Sequence, residues 1–79
     1  MMDAIVYTTP SCPWCVKARD FLKDHNIKFK EVDISDDLAA ANEMMKKSSQ
    51  MGVPVITVGD KVIVGFDEGE IKKAFGIKQ

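Results

Sequence analysis

Two β-branched runs, Pro54-Val55-Ile56-Thr57-Val58 and Lys61-Val62-Ile63-Val64, flank the turn pair Gly59-Asp60. That pattern predicts an antiparallel hairpin. The constraint reaches the rest of the chain, because two strands alone do not make a stable core in water. Other strands must extend the pair, and helices must cover it. The chain has 79 residues. That is room for one domain, spanning residues 1–79, that buries only about 60–65% of its unfolded surface.

The remaining elements read as alternating strands and helices. Asp3 to Tyr7 contains the short β-rich run Ala4-Ile5-Val6-Tyr7, which predicts a buried strand. Thr8 to Ser11 reads as a loop. A helix is expected from near Cys12 to about His25, with Pro13 in its first turn, where a missing N–H costs nothing. Its apolar face carries Cys15, Ala18, Phe21 and Leu22, and Asn26 stops it. Residues 27–34 read as a strand whose inward phase changes between Ile27/Phe29 and Val32/Ile34. Ser35-Asp36-Asp37 offers N-caps for a second helix from about Asp37 to Ser49. Leu38, Ala41, Met44 or Met45, and Ser48 mark its inner face; Met51 reads as core or rim. Asp67 to about Phe75 reads as a last helix, with Ile71, Ala74 and Phe75 inward. The order β-α-β-α-β-β-α predicts an α/β fold in which a four-stranded mixed sheet is flanked by three helices.

Composition narrows the function classes. Eleven basic side chains against twelve acidic ones leave a net charge of −1. No field attracts nucleic acid or an anionic membrane. No apolar run approaches the roughly 18 residues a spanning helix needs. Met1 to Tyr7 lacks the basic start of a signal peptide. The expectation is a monomeric cytoplasmic protein, with no nucleic-acid or membrane partner. Two cysteines do not make a disulfide scaffold, and a reducing compartment would not keep a structural bridge closed.

Those two cysteines form Cys12-Pro13-Trp14-Cys15, between a strand and a helix start. The thiolate is the nucleophile in thiol–disulfide exchange. At a helix N-terminus a sulfur meets unpaired N–H groups and the positive end of the dipole, and both favour the anion. Cys15, three residues on, shares a helix face with Cys12 and can reach it. One thiol can then attack and the other resolve the mixed disulfide. Three other readings compete. The pair could be two small buried residues. Structural zinc wants four Cys or His ligands, and one chain offers two cysteines and His25. A metal or iron–sulfur carrier would therefore need the cysteines of two chains. An interaction module with an incidental CxxC is the third.

The segment Val6-Tyr7-Thr8-Thr9-Pro10-Ser11-Cys12-Pro13-Trp14-Cys15 resembles the active-site segment of glutaredoxins, whose common form reads CPYC. Glu31-Val32-Asp33-Ile34 is similar to the family's second-strand segment, and Gly52-Val53-Pro54-Val55-Ile56 to its TVP segment. Gly65-Phe66-Asp67-Glu68 stands where many members have a Gly-Gly-x-Asp stretch. The resemblance implies a thioredoxin-like fold and thiol–disulfide oxidoreduction with Cys12 and Cys15 as catalytic residues. It also implies a cis peptide before Pro54, with the Val53 backbone facing substrate. On the residues alone, an ordinary trans proline opening a strand is the favoured reading. No built-in cofactor or metal is implied; glutathione is the co-substrate, and protein disulfides are partners. Thr9, Pro13, Trp14, Gln50, Val53, Pro54, Asp67 and Glu68 are the implied substrate and glutathione contacts.

Several positions depart from the pattern. Thr9 stands where many glutaredoxins have lysine, Gly52 where threonine is usual, and Phe66 where the second glycine stands. The Gly65-Phe66 pair is more similar to the glutaredoxin-like hydrogen donors of ribonucleotide reductase. Those take electrons from thioredoxin reductase, a flavin disulfide reductase, which gives a second reading of the electron source.

Overall fold

A computed structural model of the chain describes residues 4–50 and 52–77. Its elements are β1 (Ala4–Thr8), α1 (Pro13–Asp24), β2 (Lys30–Asp33), α2 (Leu38–Ser48), β3 (Val55–Val58), β4 (Lys61–Val64) and α3 (Glu68–Phe75). The sheet runs β2-β1-β3-β4. β1 and β2 are parallel, as a helical crossover requires; β1/β3 and β3/β4 are antiparallel. This is the four-stranded mixed sheet with three helices, in the thioredoxin-like order, that the sequence implies. Asp3 and Met51 lie outside the described residues.

Alternation along the strands splits the core in two. Val6, Ile56, Val58 and Ile63 cluster with Ala18 and Leu22 of α1 and Ile71 and Ala74 of α3. On the other side Tyr7 and Val55 cluster with Met44 of α2. The phase change in residues 27–34 has its cause here. Ile27 and Phe29 pack against the first cluster, and Val32 and Ile34 against the second.

Four boundaries or faces differ from expectation. Thr8 belongs to β1 and not to the loop: it pairs with Asp33, and its carbonyl accepts from the Ile34 amide at 3.0 Å. β2 starts at Lys30 rather than Ile27. Asn26, at φ 57°, turns the chain, and the Ile27 amide is donated to the Leu22 carbonyl of α1 at 2.9 Å. α2 stops at Ser48, since Ser49 has turned left-handed at φ 61°. Leu38 was expected inward and is 77% exposed. At 100° per residue it lies about 90° from the centre of the stripe through positions 41, 44 and 48. Met44 rather than Met45 fills the inner position.

Candidate active site

Cys12 is the N-cap of α1. Its backbone is extended (φ −96°, ψ 108°), Pro13 follows as the first helical residue, and its sulfur accepts from the Cys15 amide at 3.2 Å. The sulfur thus takes the place a hydroxyl or carboxylate oxygen usually fills at a cap. The Cys12 thiol also faces the Val53 carbonyl at 3.8 Å. The Val53–Pro54 peptide is cis, in agreement with the resemblance. The loop before β3 therefore meets the start of α1 at the sulfur.

Cys15 sits one turn further in and is 3% exposed. Both cysteines are free thiols. Burial pushes the Cys15 thiol up to about 12, from an ordinary 9.0. The hydrogen bond and charge of Cys12 and the charge of Glu31 push the same way, and a backbone hydrogen bond from Thr9 opposes them. Two consequences follow. In native protein between pH 7 and 9, iodoacetamide should label Cys12 and spare Cys15, read by mass spectrometry of the intact chain and its peptides. Equal labelling of the two in folded protein would contradict the geometry. The buried thiol also favours the fold below pH 9, and that contribution is lost as pH rises from 9 toward 12, where only the unfolded chain has released the proton.

Beside Cys12 lies a cavity of about 250 Å³ lined by Trp14, Val53, Pro54, Gly65 and Phe66. The Gly65 amide donates to the Pro54 carbonyl at 2.8 Å. Gly65 itself is at φ +79°, a conformation other residues rarely adopt, and it turns the chain out of β4. That turn brings the Phe66 ring to 6.4 Å from the Trp14 ring. Lys17 holds its ammonium 4.6 Å from the centre of the indole. Phe66 also meets Phe21 of α1 edge-on at 5.8 Å.

A second cavity, of about 400 Å³, opens behind Cys15. It is lined by Thr8, Thr9, Pro10, Cys15, Val16, Arg19, Glu31 and Asp33. Arg19 pairs there with Glu31 at 3.3 Å. Asp33 accepts from the amide and hydroxyl of Ser35, which holds its carboxyl below the usual range.

The candidate residues named from sequence therefore fall into separate places. Cys12, Pro13, Trp14, Val53 and Pro54 converge at one end of the sheet. Thr9 belongs to the cavity behind Cys15. Both ends of the Gln50 side-chain amide are bonded to Gly52: it donates to the Gly52 carbonyl at 2.8 Å and accepts from the Gly52 amide at 2.6 Å. A Cβ at position 52 would lie 2.8 Å from that amide oxygen, so a larger residue there would turn the exposed Gln50 side chain aside. Asp67 caps α3 by accepting from the Glu70 amide at 3.2 Å, and Glu68 is exposed at the helix start. His25 bonds the Phe21 carbonyl at the end of α1. Lys47 pairs with Glu43 at 2.9 Å. Among the described residues no three His, Cys, Asp or Glu side chains gather to hold a metal, and no helix is long and apolar enough to cross a membrane.

Sequence reading marked Phe66 only as bulk in place of a family glycine and joined neither it nor Lys17 to Trp14. The signal for Phe66 was a bulky residue after a glycine at a strand end. Its meeting with Trp14, fifty-two positions away in sequence, has no local signature. The Arg19–Glu31 pair joins a helix to a strand, again with nothing local to announce it.

The element order, the mixed four-stranded sheet and a CxxC at the cap of the first helix describe a thiol oxidoreductase of thioredoxin-like fold. The glutaredoxin family model matches residues 4–63. An uncharacterized glutaredoxin-like 8.6 kDa protein in the rubredoxin operon of Clostridium pasteurianum is 47% identical over 86% of this chain and 91% of its own length. Glutaredoxin 3 of Escherichia coli K12 is 32% identical over 86% of this chain and 82% of its own. The crystal structure of a glutaredoxin from Archaeoglobus fulgidus superposes with a TM-score of 0.87 at 25% identity, covering 95% of this chain and 87% of that one. The chain belongs to the glutaredoxin family.

Proposed function

We propose that the chain reduces protein disulfides and mixed disulfides through Cys12, with Cys15 as the resolving thiol and glutathione as the reductant. The observation that carries this reading is the Cys12 sulfur at the α1 cap, 3.2 Å from the Cys15 amide and 3.8 Å from the Val53 carbonyl. The Cys12 thiolate attacks one sulfur of the substrate disulfide. A bond forms between Cys12 and that sulfur, the substrate S–S bond breaks, and the released thiolate takes a proton. Cys15 then loses its proton and attacks the Cys12 sulfur. The second substrate thiol leaves, and a Cys12–Cys15 disulfide remains. Two glutathione thiols return it to the dithiol and become glutathione disulfide.

The raised Cys15 fits this order of events. Part of the push on Cys15 comes from the charge and hydrogen bond of Cys12. Both disappear once Cys12 is bound in a mixed disulfide, so the resolving thiol becomes easier to ionise at the moment it is needed. Until then burial keeps it protonated; once the mixed disulfide has formed, glutathione competes with Cys15 to release the substrate from Cys12. No resident cofactor is required. A reducing compartment, the cytoplasm, suits two free thiols.

A second reading keeps the chemistry and changes the electron source to a flavin disulfide reductase of the thioredoxin reductase kind. Phe66 favours it, because its ring stands where glycine would leave glutathione a close approach to the backbone. The test is NADPH-coupled turnover of a disulfide substrate in two arms, one with glutathione and glutathione reductase and one with thioredoxin reductase. Turnover in the glutathione arm supports the first reading. Turnover confined to the thioredoxin reductase arm transfers the conclusion to the second. A folded protein that consumes NADPH in neither arm would overturn both.

A further inference from the structure

The cavity beside Cys12 has a lining unlike what a small charged thiol needs. Its walls are Trp14, Val53, Pro54, Gly65 and Phe66, without a charged side chain. Its volume of about 250 Å³ is smaller than the roughly 300–1,000 Å³ of sites that enclose a whole small molecule. It is the size for one side chain. Glutathione carries two carboxylates and an ammonium, and carboxylates are usually met by lysine or arginine. Lys17 holds its ammonium over the Trp14 ring, and Arg19 pairs with Glu31 in the separate cavity behind Cys15. At α3 the Asp67 carboxylate already accepts from the Glu70 amide.

We propose that Trp14 and Phe66 form a clamp that selects an apolar side chain next to the half-cystine of a protein substrate. The inference rests on the reading of Cys12 as the attacking thiol and deepens it by naming the substrate class. The position of the clamp follows from three fixed contacts. The Cys12 sulfur faces the Val53 carbonyl, Pro54 follows Val53, and the Gly65 amide is bonded to the Pro54 carbonyl. A substrate whose sulfur reaches Cys12 therefore presents its neighbouring residue to the cavity walled by the adjoining Trp14 and Phe66 rings, whose centres are 6.4 Å apart. Trp14 is 53% exposed before substrate arrives, so a docked apolar side chain covers surface that water now touches. Glutathione is still able to act as reductant on the later mixed disulfide, since the clamp governs which substrate is captured first.

The test is a single-turnover reaction of the pre-reduced full chain with symmetric peptide disulfides. One peptide has leucine beside its cysteine, another serine, and glutathione disulfide is the third substrate. The freed thiols are followed by chromatography, with no reductase present. The leucine peptide should react about tenfold faster or more than the serine peptide, the scale set by burying an aliphatic side chain. It should also outpace glutathione disulfide. Phe66→Gly should bring the leucine-to-serine ratio toward one. Phe66 also packs on the core, so Trp14→Ala, at an exposed position, gives an independent check with the same expected loss of preference. Equal rates for the two peptides in wild type, or a ratio that survives both substitutions, would overturn the clamp. Faster reaction of glutathione disulfide would overturn it as well. Failure of folded wild type to reduce any of the three would instead remove the reading of Cys12 on which the clamp depends.

Discussion

Cys12→Ser should lose at least about a thousandfold in disulfide turnover while keeping its fold. A serine hydroxyl at the same cap can still accept from the amide of residue 15, so the helix start is preserved. What disappears is an ionisable sulfur able to form and release an S–S bond. Removing a covalent nucleophile costs on this order or more in enzymes that depend on one. The check is steady-state turnover beside far-ultraviolet circular dichroism and a urea melt. A variant that keeps more than a tenth of wild-type activity would show that Cys12 is not the attacking group. Cys15→Ser separates the two routes. It should block reduction of a protein's internal disulfide by the dithiol path. It should leave a glutathione mixed disulfide within about tenfold of wild type, because glutathione itself releases the product from Cys12.

Leu22→Ala should be the most destabilising single truncation on α1, at about 2–5 kcal/mol. Leu22 has no exposed surface and packs with Val6, Ile56 and Ile71, where α1 and α3 meet the sheet. A chain of this size has in total about 4–12 kcal/mol of stability. The substitution therefore removes a large fraction of it and should leave a measurable unfolded population near physiological temperature. Leu38→Ala is the control: it is the same chemical change on a residue 77% exposed, and should fall within about 0.5 kcal/mol of wild type. Urea denaturation read as a midpoint with an unchanged slope reports both. If the two leucines cost the same, the packing of α1 on the sheet is not as described.

The contrast between these leucines shows where sequence reasoning reaches and where it stops. Both lie in correctly expected helices. Leu22 follows Ala18 on the buried face at a spacing that reads as one stripe. Leu38 stands at the first turn of α2, about 90° from the centre of the stripe through positions 41, 44 and 48, and only its apolar type made it read as inward. Over residues 27–34 the pattern gave the two packing sides correctly, although Ile27 and Phe29 precede β2. It could not show that Ile27 closes the end of α1 through the Leu22 carbonyl before the strand begins.

The site divides in the same way. The cap at Cys12, proline in the first turn, the reach from Cys12 to Cys15 and the hairpin around Gly59 are local matters. They follow from dihedral preferences, helix periodicity and unpaired N–H groups within a few residues of one another, so the sequence by itself determined them. The order of elements then limited the sheet to a mixed one. The contacts that give the site its character join residues far apart in the chain. The Val53 carbonyl at the Cys12 sulfur, the pairing of Arg19 with Glu31 behind Cys15, and the approach of Phe66 to Trp14 exist because β1 lies between β2 and β3. The burial that raises Cys15 is likewise a property of the packed chain, set by how much water the assembled helices and sheet exclude and not by any neighbour in sequence.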